Sequence, residues 1–232
     1  MKNVVLTCYF TGKNDPQFSG TRHRSNNFDA IYLWLKSLTV CGLQGVIFTD
    51  NLTRVHSQFA NSATIVPYQL KTGWTILEER HQCYLNYLSG NYDISRVVFT
   101  DLFDCEFYRD PFPLLTDDYD LMAGYGGRLL KPIHGNAWIE AEIARAYGET
   151  MYPDMPVLCA GCWGARRDDA VQLLRAMVYD FKTINPVEHV DMSVFIRNAY
   201  DMFPAERILL GEPFSSKFKR YEISGDFAIR HK

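Results

Sequence analysis

Apolar residues recur along the chain in two patterns: short runs rich in β-branched residues, and longer stretches with apolar positions three or four apart. The short runs predict buried strands, and the longer spacing predicts helices that bury one face. The predicted strands cover residues 4–10, 45–50, 63–68, 96–100, 121–125 and 157–163. The predicted helices carry apolar stripes within residues 28–38, 77–88, 139–147, 170–181 and 192–199. Strands that alternate with helices indicate an α/β fold with a mostly parallel sheet.

Local signals mark two helix ends and a final strand. Thr75 followed by Glu78 is the spacing of a capping box, which predicts a helix start. Gly148 follows an apolar stripe, so it predicts the end of the third helix. The apolar residues 227–229 predict a short final strand or a docked extension.

Composition places the chain among ordinary globular proteins. Its 232 residues suffice for one filled α/β domain, and the sequence shows no repeat or linker, so we expect a single domain over residues 1–232. No apolar run has the length of a membrane span, and the first residues lead into a strand. We therefore expect a cytoplasmic protein, in the host cytoplasm if it is viral. The formal charge of −3 argues against nonspecific binding of nucleic acid by the whole surface.

Six cysteines are spread along the chain, and several lie in apolar segments, as reduced buried thiols do. Cys159 and Cys162 form a C-x-x-C pair, with no second pair at zinc spacing. Packing in the core is the favoured interpretation of this pair, and a zinc or redox role is the alternative.

Acidic residues are concentrated after the strand at residues 96–100. Between Asp101 and Asp120 there are seven carboxylates and one base, Arg109. Carboxylates this close together repel each other, and a divalent cation with oxygen ligands relieves that repulsion. Ligands bind outside the carboxyl ends of strands in open α/β sheets, where these acids are predicted to lie. An acidic surface turn is the alternative interpretation.

The wider motif around these acids is V-V-F-T-D-x-x-D-x-x-F-x-x-D-P-F. It resembles the metal-binding signature of nucleotide-sugar glycosyltransferases with the GT-A fold, in the T-D-x-x-D variant of phage and bacterial proteins. The strict motif of that family is Asp-x-Asp, whereas Asp101 and Asp104 are three apart and only Asp104 and Glu106 have the shorter spacing. Which two of these acids bind the metal therefore stays open. The resemblance implies a single GT-A type domain with a mixed, mostly parallel sheet flanked by helices.

Several residues are candidates for the donor side of such a site. Asp50 ends the second predicted strand, where an acid commonly meets a ribose or a base in α/β folds. Thr7, in the first strand, and Asp101 are further candidates for contact with the donor. The resemblance implies a basic residue directed at the diphosphate from the helix before the acids, which Arg80 fits, and a surface arginine is the alternative. Lys232 is expected to cover the diphosphate oxygens as a point charge.

The resemblance also implies an acceptor pocket, a base and a third metal ligand. The segment C-A-G-C-W-G matches a strand that lines the sugar pocket in that family, with Gly161 for close approach and Trp163 for stacking or core filling. Asp191 opens a helix at the position of an acceptor-facing acid and is the candidate catalytic base for an inverting route, with a retaining route equally open. It also suits the helix dipole there, which is the alternative. His231 resembles the C-terminal histidine that completes the metal shell.

A disordered basic tail is the alternative for the His231 segment, in which case His134 or His189 is the candidate ligand. Carboxylates suit Mn²⁺ or Mg²⁺, and an imidazole favours Mn²⁺.

We therefore expect a metal-dependent glycosyltransferase with a nucleotide-diphosphate sugar donor, of which a UDP-sugar is the first choice. Phage relatives of the family glycosylate hydroxymethylated bases, so DNA is one expected acceptor. The basic groups Arg22/Arg24, Arg166/Arg167 and residues 217–220 suit its phosphates. A saccharide or lipid-linked acceptor is an alternative, as is a non-catalytic nucleotide- or carbohydrate-binding module. A phosphohydrolase lacks support, because the chain has no Asp-x-Asp-x-Thr/Val run at Asp101.

Overall fold

A computed structural model describes residues 1–13, 31–51, 59–127, 131–217 and 224–231. These residues form nine strands and five helices. The strands are β1 Lys2–Tyr9, β2 Gly45–Thr49, β3 Ala63–Pro67, β4 Ile94–Thr100, β5 Cys105–Phe107, β6 Leu121–Tyr125, β7 Leu158–Arg166, β8 Ile208–Leu210 and β9 Ile229–His231. The helices are α1 Tyr32–Val40, α2 Ile76–Gly90, α3 Ala137–Tyr147, α4 Arg167–Ile184 and α5 Asp191–Met202.

Seven of these strands form one sheet, in the order β3-β2-β1-β4-β7-β6-β8. Neighbouring strands are parallel except at β7, which is antiparallel to both β4 and β6. The fold is therefore α/β with a mixed, mostly parallel sheet, as the alternation of strands and helices predicted. The two remaining strands, β5 and β9, form a separate antiparallel ladder beyond the end of β4.

Each face of the sheet has its own apolar core. Successive side chains of a strand point to opposite faces, so Val97 and Phe99 belong to one core and Val98 to the other. Helices α2 to α5 contribute to the first core. Helix α1 covers the second core together with β5 and the segment around β9. The β5–β9 ladder is thus anchored to the sheet by apolar packing.

The local signals for helix ends are confirmed. Thr75 is the N-cap of α2, where its side chain accepts a hydrogen bond from the Leu77 amide and also bonds Glu78. Gly148 ends α3 with a φ of 75°, a left-handed conformation that favours glycine. The predicted final strand at 227–229 is observed two residues later, as β9.

Other boundaries differ from the pattern. The strand predicted at 157–163 continues to Arg166, because pairing with β4 extends past its apolar residues. The start of the stripe at 28–38 lies outside the described residues. Strands β5 and β8 were not predicted, since three residues are too few to show a period. Among the described residues, no helix is both long and apolar enough to span a membrane.

Replacement of Gly148 by alanine should lower the free energy of unfolding by about 1 kcal/mol, because a Cβ disfavours the left-handed backbone. Gly90, the last residue of α2, is the matched control: its φ is not positive, and a Cβ there would meet no atom within 4 Å. Gly90→Ala should be neutral or slightly stabilising. Urea unfolding of the two variants measures the difference, and equal stabilities would contradict the assignment.

Candidate metal centre

The site lies where β4 ends and the β5–β9 ladder begins. Asp101 directly follows β4, and its amide donates a hydrogen bond of 2.6 Å to the carbonyl of Gly161 in β7. A turn then leads through Asp104 to β5, where Cys105 is paired with His231 of β9. The ladder therefore brings His231 next to the acidic turn.

Asp101, Asp104 and His231 converge at this point. One carboxylate oxygen of each acid and one ring nitrogen of His231 lie within 4.8 Å of one another. Ligand atoms around a single hard cation lie at most about 4 to 5 Å apart, so sub-ångström shifts would let all three bind one ion. Two carboxylates with an imidazole suit Mn²⁺. The Asp101 side chain is 36% exposed, which leaves the site open toward solvent.

Glu106, the third acid of the motif, lies elsewhere. It forms an ion pair with Arg230, its partner in the β5–β9 ladder. Successive residues of β5 point to opposite sides, so Cys105 and Glu106 face different environments. The structure thus groups Asp101 with Asp104 and leaves Glu106 out. His134 and His189, the alternative ligands, pair with Glu140 and Glu142 instead.

Arg80 of α2 is buried behind the acids and is not the surface arginine of the alternative interpretation. Its guanidinium donates to Asp101 and, at 2.6 Å, to Oδ2 of Asp191. Burial opposes the charge of Arg80, but the two carboxylates outweigh it and raise the pKa above the usual value. Arg80 therefore holds Asp101 in place with a permanent positive charge.

Asp191, the predicted catalytic base, is the first residue of α5 and is only 2% exposed. Burial favours its neutral form, yet Arg80 and His81 more than compensate and lower the pKa of Asp191. A buried, ion-paired carboxylate with a lowered pKa is a poor proton acceptor at neutral pH. In this structure Asp191 positions Arg80, and its role as a catalytic base stays a prediction.

Two further buried acids cap the start of α5. Glu78 accepts a hydrogen bond of 2.8 Å from the Val190 amide, and Glu142 accepts one of 2.9 Å from the Ser193 amide. Burial and the nearby charge of Asp191 raise the pKa of Glu78 to about 7 and that of Glu142 to about 8. Glu142 was missed by the sequence reasoning. Its one signal is a position three residues after Ile139, on the buried stripe of α3.

His81, next to these acids, is fully buried. Burial lowers its pKa to about 4, so the ring is neutral near pH 7. Neither ring nitrogen has a hydrogen-bond partner among the described residues, and the nearest carboxylate oxygen, from Asp191, is 4.0 Å away. His81 is therefore a core histidine, as predicted, but not a satisfied one.

Asp50 directly follows β2, and its contact with a donor stays a prediction. Its carboxylate accepts hydrogen bonds from the amides of Thr11 at 2.8 Å and Gly12 at 2.6 Å, so it fixes the loop after β1. An open groove of about 570 Å³ begins beside it. The groove is lined by Thr49, Asp50, Pro67, Tyr68, Gln69 and Leu70. Asp50 thus shapes a groove at the carboxyl ends of β2 and β3.

Three predicted contact residues have structural roles instead. Thr7 is buried, and its hydroxyl donates to the carbonyl of Thr100 at 2.8 Å, which ties β1 to β4. Trp163 is fully buried and stacks on Phe99 with ring centroids 3.9 Å apart, so it fills the core and does not line a sugar pocket. At Gly161 a Cβ would overlap the carboxylate of Asp101. The group that lies close to the backbone of Gly161 is therefore the Asp101 carboxylate.

Of the predicted phosphate-binding residues, Lys232, Arg22, Arg24 and residues 218–220 lie outside the described residues. Arg166 and Arg167 are described, and both are engaged within the protein. Arg166 bonds the carbonyl of Thr116 at 2.8 Å and pairs with Asp117 and Asp120. Arg167 donates to the carbonyl of Leu88 at 2.7 Å. These contacts reduce the support for a DNA-binding face.

No protein-family model matches this chain, and no curated protein matches it.

Replacement of Glu142 by glutamine should stabilise the protein at alkaline pH and have little effect in acid. The folded state holds the proton of Glu142 up to about pH 8, whereas an ordinary glutamate loses it near 4.5. The folded state thus binds more protons in this window, and stability falls as pH rises, by up to about 1.4 kcal/mol per unit. Glutamine is neutral throughout and still accepts from Ser193. Urea midpoints from about pH 5 to about pH 9 measure the effect.

Glu149→Gln is the matched control, because Glu149 is exposed just beyond α3. Its pH profile should follow that of the wild type. A Glu142→Gln profile that also runs parallel to the wild type would contradict a raised pKa at Glu142.

Proposed function

We propose that this protein is a metal-dependent glycosyltransferase, which moves a sugar from a nucleotide-diphosphate donor to an acceptor hydroxyl. The observation that carries the proposal is the convergence of Asp101, Asp104 and His231 within 4.8 Å. The T-D-x-x-D motif supports it independently, since it resembles the GT-A metal signature. The mostly parallel sheet, with the acids directly after β4, is compatible with the GT-A fold that the resemblance implies.

The residues present fit a divalent cation. Asp101, Asp104 and His231 would hold the ion, with Mn²⁺ favoured over Mg²⁺ by the imidazole. The bound ion would supply Lewis-acid stabilisation of the negative charge that develops on the departing nucleoside diphosphate. The ion pair with Arg80 orients the Asp101 carboxylate, and so keeps this ligand in position to bind.

The groove at Asp50 is the proposed site of the nucleoside. It lies at the same carboxyl edge of the sheet as Asp101. Strands β2 and β4 are separated only by β1, so their ends lie two strand spacings apart, roughly 10 Å. Tyr68 offers an aromatic face for a base, and Asp50 and Gln69 offer polar groups. A UDP-sugar is the first donor to test.

Assays of turnover distinguish the acceptor classes, and they distinguish an enzyme from a non-catalytic module. A saccharide or other hydroxyl compound is the first acceptor class to test, because Arg166 and Arg167 are engaged within the protein. A non-catalytic nucleotide-binding module would bind the donor and leave it intact. Slow metal-dependent hydrolysis of a nucleotide sugar therefore distinguishes an enzyme from a binding module.

Asp104→Asn should abolish hydrolysis across a panel of nucleotide sugars and weaken Mn²⁺ binding at least about tenfold, because it removes a charged ligand. Asp118→Asn is the matched control: Asp118 carries the same charge in the same acidic segment but is exposed. This control should behave like the wild type. Calorimetry with Mn²⁺ and product analysis measure the two effects. Unchanged turnover in Asp104→Asn, or a wild type that is indifferent to chelator, would contradict the proposal.

Gln69→Ala should weaken binding of uridine diphosphate, in the presence of Mn²⁺, by about 2- to 10-fold, which corresponds to one hydrogen bond. Gln44→Ala is the control, since Gln44 bonds the carbonyl of Asn61 on the surface, away from the groove. Calorimetry with uridine, guanosine and cytidine diphosphates compares the bases. Equal affinities for the two variants would show that the nucleoside does not bind in this groove.

A further inference from the structure

A second group of ligand atoms lies beside the carboxylates. The sulfur atoms of Cys105 and Cys162 and a ring nitrogen of His231 lie within 4.8 Å of one another. All three side chains are buried, with residue exposures of 3%, 0% and 1%. They come from β5, β7 and β9, which are far apart in the sequence. The sequence offered only the Cys159–Cys162 pair, so Cys105 had no visible partner.

An irregularity in the sheet helps to create this group. The pairing of β6 with β7 shifts register between Ala123 and Gly124, opposite the segment from Cys159 to Cys162. In a regular strand, residues three apart point to opposite faces. Here Cys159 and Cys162 both belong to the core that contains Cys105. The shift thus turns both thiols of the C-x-x-C segment toward the β5–β9 ladder.

Two thiols and an imidazole form a donor set with a definite preference. Thiolate ligands select thiophilic ions such as Zn²⁺ or Cd²⁺, whereas carboxylates suit Mn²⁺ and Mg²⁺. In a tetrahedral zinc site the bonds are about 2.3 Å to sulfur and 2.0 to 2.1 Å to nitrogen, so three ligand atoms within 4.8 Å need only sub-ångström shifts. Two thiolates also neutralise a divalent ion, which lowers the cost of holding its charge in a buried site.

A fourth ligand and an entry path are both present. The sulfur of Cys159 lies 3.9 Å from Nδ1 of His231, so a third thiol borders the group. Asp101 and Asp104 are only half-buried, and each has a carboxylate oxygen within 4.8 Å of a ring nitrogen of the same His231. They offer an incoming ion partly exposed ligands beside the buried sulfur atoms.

We propose that Cys105, Cys162 and His231 form a binding site for a thiophilic divalent cation, and that its occupation withdraws His231 from Asp101 and Asp104. The two donor sets share one imidazole, so a thiophilic ion and an oxygen-preferring ion compete for it. The thiophilic site stands on its own geometry, and only the competition rests on the proposed function. Zn²⁺ or Cd²⁺ would therefore inhibit the Mn²⁺-dependent activity.

Titration of the metal-free protein with Cd²⁺ tests the site directly, because thiolate–cadmium bonds give an ultraviolet charge-transfer band. One equivalent should produce the band in the wild type. Cys105→Ser and Cys162→Ser should each weaken binding at least about tenfold. Cys41→Ser is the matched control, since Cys41 is a free, half-buried thiol directly after α1 and is not part of this ligand group, and it should bind like the wild type. Full binding in the Cys105→Ser/Cys162→Ser double variant would overturn the proposal.

Two measurements on the wild type test the proposal without relying on variants that fail to fold. X-ray absorption of the protein with one equivalent of Zn²⁺ should show at least two sulfur neighbours at about 2.3 Å, and a shell of only oxygen and nitrogen would overturn the site. Electron paramagnetic resonance should show Mn²⁺ released when Cd²⁺ is added. Retention of bound Mn²⁺ would overturn the competition. If Mn²⁺ never binds, the proposed function fails, while the cadmium band still decides the thiol site.

Discussion

The double ion pair of Arg80 is the interaction on which the site depends. A buried guanidinium joins the end of β4, through Asp101, to the start of α5, through Asp191. Charges this deep are tolerated only when they are paired, and removal of one partner from a buried pair typically costs about 3 to 5 kcal/mol. Arg80 thus links the sheet to α5, in addition to the apolar packing between them. Because Asp101 belongs to this pair, the candidate metal centre is anchored to the core.

The same pair influences the surrounding acids. Arg80 pairs with Asp101 and Asp191, and burial together with the nearby charge of Asp191 raises the pKa values of Glu78 and Glu142. Amide donors at the start of α5 would otherwise attract an anion. Here the side chains of two glutamates occupy them. The Val190 and Ser193 amides are therefore not available to an anionic ligand.

The sequence predicted the sheet and the acidic edge better than it predicted the roles of single polar residues. Apolar periodicity reports burial of apolar side chains, so the strand ending at Thr100 was placed correctly. The burial of Arg80 has no such signal, because its partners are 21 and 111 residues away. The ion pair of Asp191 with Arg80 had no sequence signal for the same reason. The sequence of β7 also carried no signal of the register shift that groups its cysteines.

The group of Asp101, Asp104 and His231 is assembled only while β9 is paired with β5. The β5–β9 ladder has three residues on each side and joins positions as much as 126 apart (Cys105 to His231), so it closes a long loop with few bonds. A short ladder of this kind can open while the seven-stranded sheet stays intact. The apparent affinity for an ion then equals the intrinsic affinity multiplied by the closed fraction. By the same linkage, an ion bound to His231 would stabilise the pairing of β9 with β5.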